Sequence, residues 1–241
     1  QSGRSEFIAV YGRRREGKTF LIRQVIGDKA RFTISGMENV STNDQLLNFK
    51  IALNRYGAMD QECTNWLEAF DLLIRYLESL PDGNKIVFID EMPWMDTPSS
   101  RFVSSLEHFW NDWASARNDI KLIVCGSATS WMMDNLINNH GGLHNRVTHQ
   151  LLLEPFTLGE CREYFTRYGF GYSEREIVDC YMVLGGIPYY FSLMNSADSV
   201  AQNIDRLFFS PTGEFRYEMT NLFRPLFRHS DSYVSIVEAL S

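Results

Sequence analysis

The sequence predicts a doubly wound α/β core followed by a smaller, all-helical lobe. Short apolar runs alternate with segments of helical periodicity as far as Pro155. Residues 86–89 and 120–125 are apolar almost without interruption, which suits strands buried on both faces of a parallel sheet. Beyond Pro155 only helical patterns follow, two of them opened by capping-box spacing.

Taken in order, the first strand falls at residues 7–11 and ends at Gly12. A helix starts near Gly17 and carries Phe20, Leu21, Ile22 and Val25. A second strand covers residues 30–34. Thr42-Asn43-Asp44-Gln45 has capping-box spacing ahead of Leu46, Leu47, Phe49, Ile51 and Leu53, so a helix is expected to begin there. Another fits residues 66–80 and stops before Pro81-Asp82-Gly83, a turn signal. Strands at 86–89, 120–125 and 147–153 alternate with helices at about 99–116 and 129–137. Thr157 to Glu160 and Ser173 to Glu176 then open two helices of the lobe. The expected division is therefore 1–155 for the core and 156–241 for the helical lobe and the start of a truncated C-terminal region.

The chain's 241 residues are enough for one substantial core with an appended lobe. Its 14% aromatic and 22% charged content excludes wholesale disorder. A net charge of −7 argues against a stand-alone nucleic-acid binder, which usually presents a basic face. Cys63, Cys125, Cys161 and Cys180 are too scattered for metal-ligand spacing and read as reduced thiols, with Cys125 a small buried hydrophobe. There is neither a signal pattern nor a bilayer-length apolar run, so a cytoplasmic location is expected. The chain opens on Gln1 and stops at Val237-Glu238-Ala239-Leu240-Ser241 inside a helical pattern, as a piece of a longer protein would.

Gly12-Arg13-Arg14-Arg15-Glu16-Gly17-Lys18-Thr19 fits the phosphate-loop pattern G-x-x-x-x-G-K-[ST], between a strand and a helix as the pattern requires. Glycines let the backbone wrap phosphates, and successive N–H groups and the helix dipole face the anion. Lys18 is placed to reach the β- and γ-phosphates of ATP, and the Thr19 hydroxyl to join a magnesium shell. Phe20 completes the candidate nucleotide-binding stretch. Arg13, Arg14 and Arg15 read as variable loop positions pointing away from the nucleotide, although arginines also suit nucleic-acid phosphates. Glu16 is the awkward member, because its carboxylate would repel phosphates unless it turned to solvent.

Asp90 and Glu91 end the apolar strand at 86–89. The first acid after such a strand holds magnesium in phosphate-loop enzymes. The second can orient and deprotonate an attacking water. Ser127 follows the strand at 120–125 and Gly126; if that strand neighbours the first, its hydroxyl is a candidate γ-phosphate sensor, or else a turn serine. Arg146 precedes the last strand and is a candidate for stabilising transition-state charge, with an ordinary surface arginine equally in view. His140, His144 and His149 are read as loop histidines with no metal site, since Gly141-Gly142 breaks any helix that would align the first two.

Together these residues resemble the archaeal-type P-loop ATPase family, related to the signal-transducing ATPases with numerous domains and more distantly to the AAA+ ATPases. The resemblance lies in Val10 to Thr19, in Phe88-Ile89-Asp90-Glu91-Met92-Pro93-Trp94, in Cys125-Gly126-Ser127 with Ser130-Trp131-Met132, in Arg146, and in Leu153-Glu154-Pro155-Phe156. It extends to Gly185-Gly186-Ile187-Pro188-Tyr189. It implies a P-loop NTPase sheet with the acidic strand beside the sensor strand, and a helical lid. It also implies that Gly186 and Pro188 border the adenine, and that Arg146 is an arginine finger where copies self-associate. Relatives usually continue into a winged-helix segment and often a nuclease-like domain, neither visible here, so a DNA or protein partner is expected to engage regions outside this chain. Glu16 departs from the small or aliphatic residue expected at its position.

The leading functional expectation is ATP hydrolysis with Mg2+ that drives or gates a conformational change. The alternative is a nucleotide-gated regulatory switch, DNA-associated and with little turnover. A small-molecule kinase ranks third, because the acidic pair fits attack by water better. Arg216, Arg224 and Arg228 are as well explained by a solvated helix face as by nucleic acid.

Overall fold

The computed structural model describes residues 3–58, 61–138, 142–143 and 145–217. His140, His144, Arg224, Arg228 and residues 237–241 lie outside them. The chain divides into two compact units, Gln1–Glu154 and Pro155–Ser241.

In the first unit, strands β1 (Glu6–Tyr11), β2 (Ala30–Ser35), β3 (Lys85–Asp90), β4 (Ile120–Gly126) and β5 (His149–Leu152) form one sheet in the order β2-β3-β4-β1-β5. Every pairing is parallel. The connecting helices are α1 (Lys18–Ile26), α2 (Thr42–Arg55), α3 (Trp66–Ser79), α4 (Phe102–His108) and α5 (Thr129–Met132). A π-helical turn extends each of the last two, at Phe109–Trp113 and Met133–Ile137.

Strand alternation sorts the core into two layers. Phe7, Ala9, Val87, Ile89, Leu122 and Val124 face a large cluster built with Phe49, Trp66, Phe70 and Phe102 from α2, α3 and α4. Val10, Phe88, Ile123 and Cys125 point the other way, onto Ile22 and Ile26 of α1. This parity places Asp90, two residues after Phe88, on the α1 side. Phe20, Leu21 and Val25 of α1 are exposed, so its buried stripe is narrower than the sequence pattern suggested.

The cap of α2 differs from the expected one. Ser41, not Thr42, is the N-cap: its Oγ accepts from the Asp44 N–H at 3.2 Å, and Asp44 Oδ2 accepts from the Ser41 N–H at 3.1 Å. Both registers satisfy capping-box spacing. The choice falls to Ser41 because Gln45 is fully buried and bonded elsewhere, as described below. The expected helix at 99–116 begins only at Phe102, because Ser99 and Arg101 adopt left-handed backbone at φ 62° and 57°.

The second unit, among its described residues, is helical: α6 (Leu158–Arg167), α7 (Glu174–Leu184), α8 (Pro188–Ser192) and α9 (Val200–Ile204). Thr157 with Glu160 and Ser173 with Glu176 form capping boxes at α6 and α7. Cys161, Phe165, Ile177, Cys180 and Phe191 make a core of its own. All four cysteines are free thiols, and Cys125 is fully buried. Among the described residues no helix is long and apolar enough to cross a membrane.

Candidate functional site

The loop joining β1 to α1 crosses the carboxyl end of the sheet. Gly12 has φ 148°, and a side chain there would be driven into the Leu153 carbonyl and the Glu16 carboxylate. Only glycine lets the loop pass that close. Lys18 opens α1 and is buried; its Nζ donates to the carbonyls of Gly12 at 3.0 Å and Arg13 at 2.5 Å. The ammonium is thus held inside the arc of the loop, where an anion would be met. Arg14 pairs with Glu38 at 3.3 Å, and Arg13 is exposed.

Glu16 does not turn to solvent. It is only 4% exposed, and its Oε2 is buried without a hydrogen-bond partner. Burial pushes its carboxyl above the usual range, against the opposing pull of Lys18 and a bond from the Arg13 backbone. A buried acid inside an anion-binding loop is the least expected feature of the site.

Asp90 faces α1, as the strand parity requires. The Thr19 hydroxyl donates to it, lying 3.1 Å from Oδ1 and 3.0 Å from Oδ2. Asp90 Oδ1 also accepts from the Glu91 N–H at 3.1 Å. Beside it on β4, burial first and then the Asp90 charge hold the Cys125 thiol well above its usual range. Thr19 and Asp90 fit a magnesium site: a hydroxyl and a carboxylate, both hard oxygen donors, converge next to a phosphate loop. Magnesium usually takes one or two carboxylates and completes its shell with phosphates and water.

Glu91 leaves the strand in left-handed backbone, φ 43°, and starts a short turn over Met92–Met95. Its carboxylate crosses to the end of β4, where Ser127 donates to Oε2 through its N–H at 3.1 Å and its Oγ at 2.9 Å. The pairing of β4 with both β1 and β3 brings this about. Lys18, Thr19, Asp90, Glu91 and Ser127 therefore gather around the carboxyl ends of three adjacent strands.

Sequence reasoning missed the residues that hold the acidic turn. Gln45, fully buried on α2, donates from Nε2 to the carbonyls of Met37 at 2.6 Å and Trp94 at 2.8 Å. Trp131 Nε1 donates to Asp96 at 3.0 Å. A Cβ on Gly126 would stand 2.7 Å from Pro93 Cδ, and one on Gly36 would stand 2.5 Å from the Glu91 carbonyl oxygen. The only sequence signal for Gln45 was a polar residue on the apolar face of α2, beside Leu46, Phe49 and Leu53.

Arg146 is exposed on the turn leading to β5, its N–H donating to the Leu143 carbonyl at 3.0 Å. His149 is exposed on β5, with Nε2 3.8 Å from Glu6. Phe20 is 68% exposed. In the second unit, Gly186 (φ 71°) accepts at its carbonyl from the Phe156 N–H at 2.8 Å, and Pro188 opens α8. Arg216 donates to the Pro211 carbonyl at 3.1 Å.

A parallel sheet of this order, a glycine-lysine-threonine loop at its carboxyl end and an acidic pair on the adjoining strand define a P-loop ATPase domain. Comparison with known proteins agrees and names the family. Residues 1–194 match the family of ATPase domains found predominantly in Archaea, and the chain belongs to it. An uncharacterised protein of Methanocaldococcus jannaschii, MJECL04, is 26% identical over 243 residues, covering 100% of this chain and 50% of that protein. The chain thus spans about half the length of this curated relative. In fold it is similar to the Walker-type ATPase PABY2304 of Pyrococcus abyssi, with TM-score 0.58, 18% identity, and coverage of 98% of this chain and 71% of that one. It is also similar to PH0952 of Pyrococcus horikoshii, a signal-transduction ATPase with numerous domains and a tetratricopeptide-repeat sensor. There the TM-score is 0.53 at 14% identity, over 96% of this chain and 32% of that one.

Proposed function

We propose that this ATPase domain hydrolyses ATP with magnesium in order to drive or gate a conformational change in the protein that carries it. The observation carrying the reading is the convergence of Lys18, Thr19, Asp90 and Glu91 at one end of the sheet. Loop amides and the Lys18 ammonium bind the phosphates. Thr19 and Asp90 would hold the magnesium ion, which when bound spreads the charge of the phosphate oxygens. Glu91 orients a water and takes its proton as the water oxygen bonds to the γ-phosphorus. The bond to the bridging oxygen breaks, and its electron pair leaves with ADP.

The family resemblance supports Gly186 and Pro188 as adenine neighbours and Arg146 as an arginine finger in a self-associated form. An exposed position suits that second role. Arg13, Arg14, Arg15 and Phe20 belong to the loop and first turn proposed to wrap the nucleotide through the backbone, with the arginine side chains directed away from it, and a DNA or protein partner is assigned to regions outside this chain.

The test is nucleotide binding and phosphate release by the purified protein beside Lys18→Ala and Glu91→Gln, with limited proteolysis in ATP and in ADP. Expected are weakened binding in Lys18→Ala, intact binding with turnover lowered about 100-fold or more in Glu91→Gln, and different cleavage patterns with the two nucleotides. Binding without turnover in the unaltered protein would favour the regulatory switch. No binding would overturn the proposal.

A further inference from the structure

The hydrolytic reading of Glu91 underlies a finer one about Ser127. Glu91 is unusually constrained. Its backbone is left-handed, its carbonyl lies so close to Gly36 that a Cβ there would stand 2.5 Å away, and the Pro93 ring of the turn that follows packs on Gly126. The turn it begins is tied down by Gln45 at the Trp94 carbonyl and by Trp131 at Asp96. Residues keep such backbone only where their surroundings over-determine it. At the far end of the side chain, Oε2 accepts two hydrogen bonds from Ser127, one from its N–H and one from its Oγ.

A serine hydroxyl has one proton to donate. While Ser127 Oγ gives that proton to Glu91 Oε2, it cannot give it to a phosphate oxygen. Sensing the γ-phosphate and holding Glu91 are therefore competing uses of a single donor. The 2.9 Å bond from the hydroxyl and the 3.1 Å bond from the backbone N–H of the same residue converge on one carboxylate oxygen, which belongs to the second use.

We propose that Ser127 is a positioning residue for Glu91: it grips the carboxylate by Oε2 and thereby presents Oε1 to the attacking water. In the hydrolytic step the water oxygen bonds to the γ-phosphorus and the bridging bond breaks toward ADP. The water proton passes to Oε1, and the Ser127 proton stays on Ser127 throughout. The serine acts only through the geometry of the acid, so its effect exists only while Glu91 is present.

The experiment is a double-mutant cycle on the purified protein with Ser127→Ala, Ser127→Thr, Glu91→Ala and Ser127→Ala/Glu91→Ala. It reads steady-state kcat and KM, residual hydrolysis in single-turnover assays, and the ATP-to-ADP affinity ratio. Expected is a fall in kcat of about 10- to 100-fold in Ser127→Ala, with KM and the affinity ratio unchanged. Threonine, which keeps the hydroxyl, restores most of the rate. In the Glu91→Ala background, Ser127→Ala changes nothing further.

A loss of ATP over ADP preference that persists without Glu91 would show a phosphate sensor and overturn the proposal. So would a kcat equal to or above that of the unaltered protein in Ser127→Ala. If Glu91→Ala itself leaves turnover intact, the hydrolytic reading of Glu91 fails first, and the clamp with it. If Glu91→Ala abolishes turnover while Ser127→Ala is silent, the clamp alone fails.

Discussion

Thr19 and Asp90, 71 residues apart in sequence, meet through one hydroxyl that reaches both oxygens of the carboxylate at 3.1 and 3.0 Å. The contact joins the first turn of α1 to the end of β3. Strand parity makes it possible, because Asp90 shares the sheet face of Phe88 and so looks toward α1.

This pair predicts the magnesium dependence of the domain. Thr19→Val keeps the shape of the side chain and removes the hydroxyl. Turnover is expected to fall by about two orders of magnitude, with the tightening of ADP binding by magnesium largely lost. Titrating a fluorescent ADP in magnesium and in EDTA checks it. An undiminished magnesium effect in both Thr19→Val and Asp90→Asn would place the metal elsewhere.

Glu16 predicts an unusual pH dependence of stability. Its folded pKa is raised above the unfolded value by burial, so the folded state holds the proton more tightly. Stability therefore declines as pH rises from the ordinary carboxylate range through the raised value, where the buried group must ionise. Glu16→Gln is expected to stabilise the protein near neutral pH and to have little effect well below pH 4. Melting temperatures across that range decide it, and a gain that did not depend on pH would refute the assignment.

Two glycine-to-alanine changes are expected to act with opposite signs. At Gly126 the new methyl would meet Pro93 and the Met132 sulfur at 2.7 and 2.9 Å. The overpacking should cost about 1–3 kcal/mol and lower turnover by moving the turn that carries Glu91. At Gly159 in α6 the nearest atom is Thr157 Oγ1 at 3.9 Å, so alanine fits and should stabilise by about 0.5–1 kcal/mol. Denaturant unfolding of the two variants tests the contrast.

At the opposite end of the sheet, Lys85 is buried and donates to Asp119 Oδ2 at 2.8 Å, while Arg117 Nε reaches Oδ1 at 2.8 Å. The Arg117 bond, followed by Lys85, holds the Asp119 carboxyl far below the usual range. Its contribution is complete above that range and is lost as pH falls toward the folded value. Asp119→Ala leaves the Lys85 ammonium buried without its partner and should cost about 3–5 kcal/mol at neutral pH. Urea unfolding at pH 7 is the measurement, and a loss below about 1 kcal/mol would mark the pair as a surface-like bridge.

The sequence by itself determined the strand-helix alternation, the phosphate loop and the acidic pair, because these signals are local. Hydrophobic period, glycine spacing and cap residues all act within a few positions of one another. It also marked Ser127 by its place after a buried strand. Tertiary structure decided what those residues do to one another. The inward burial of Glu16, the choice of Ser41 over Thr42 as cap, the clasp of Ser127 on Glu91 and the hold of Gln45 on the acidic turn all depend on groups far apart in the chain. A buried glutamine or an inward-facing glutamate looks the same in sequence as a solvated one. Only the packing around it determines which polar atoms it can reach, and so which role it takes.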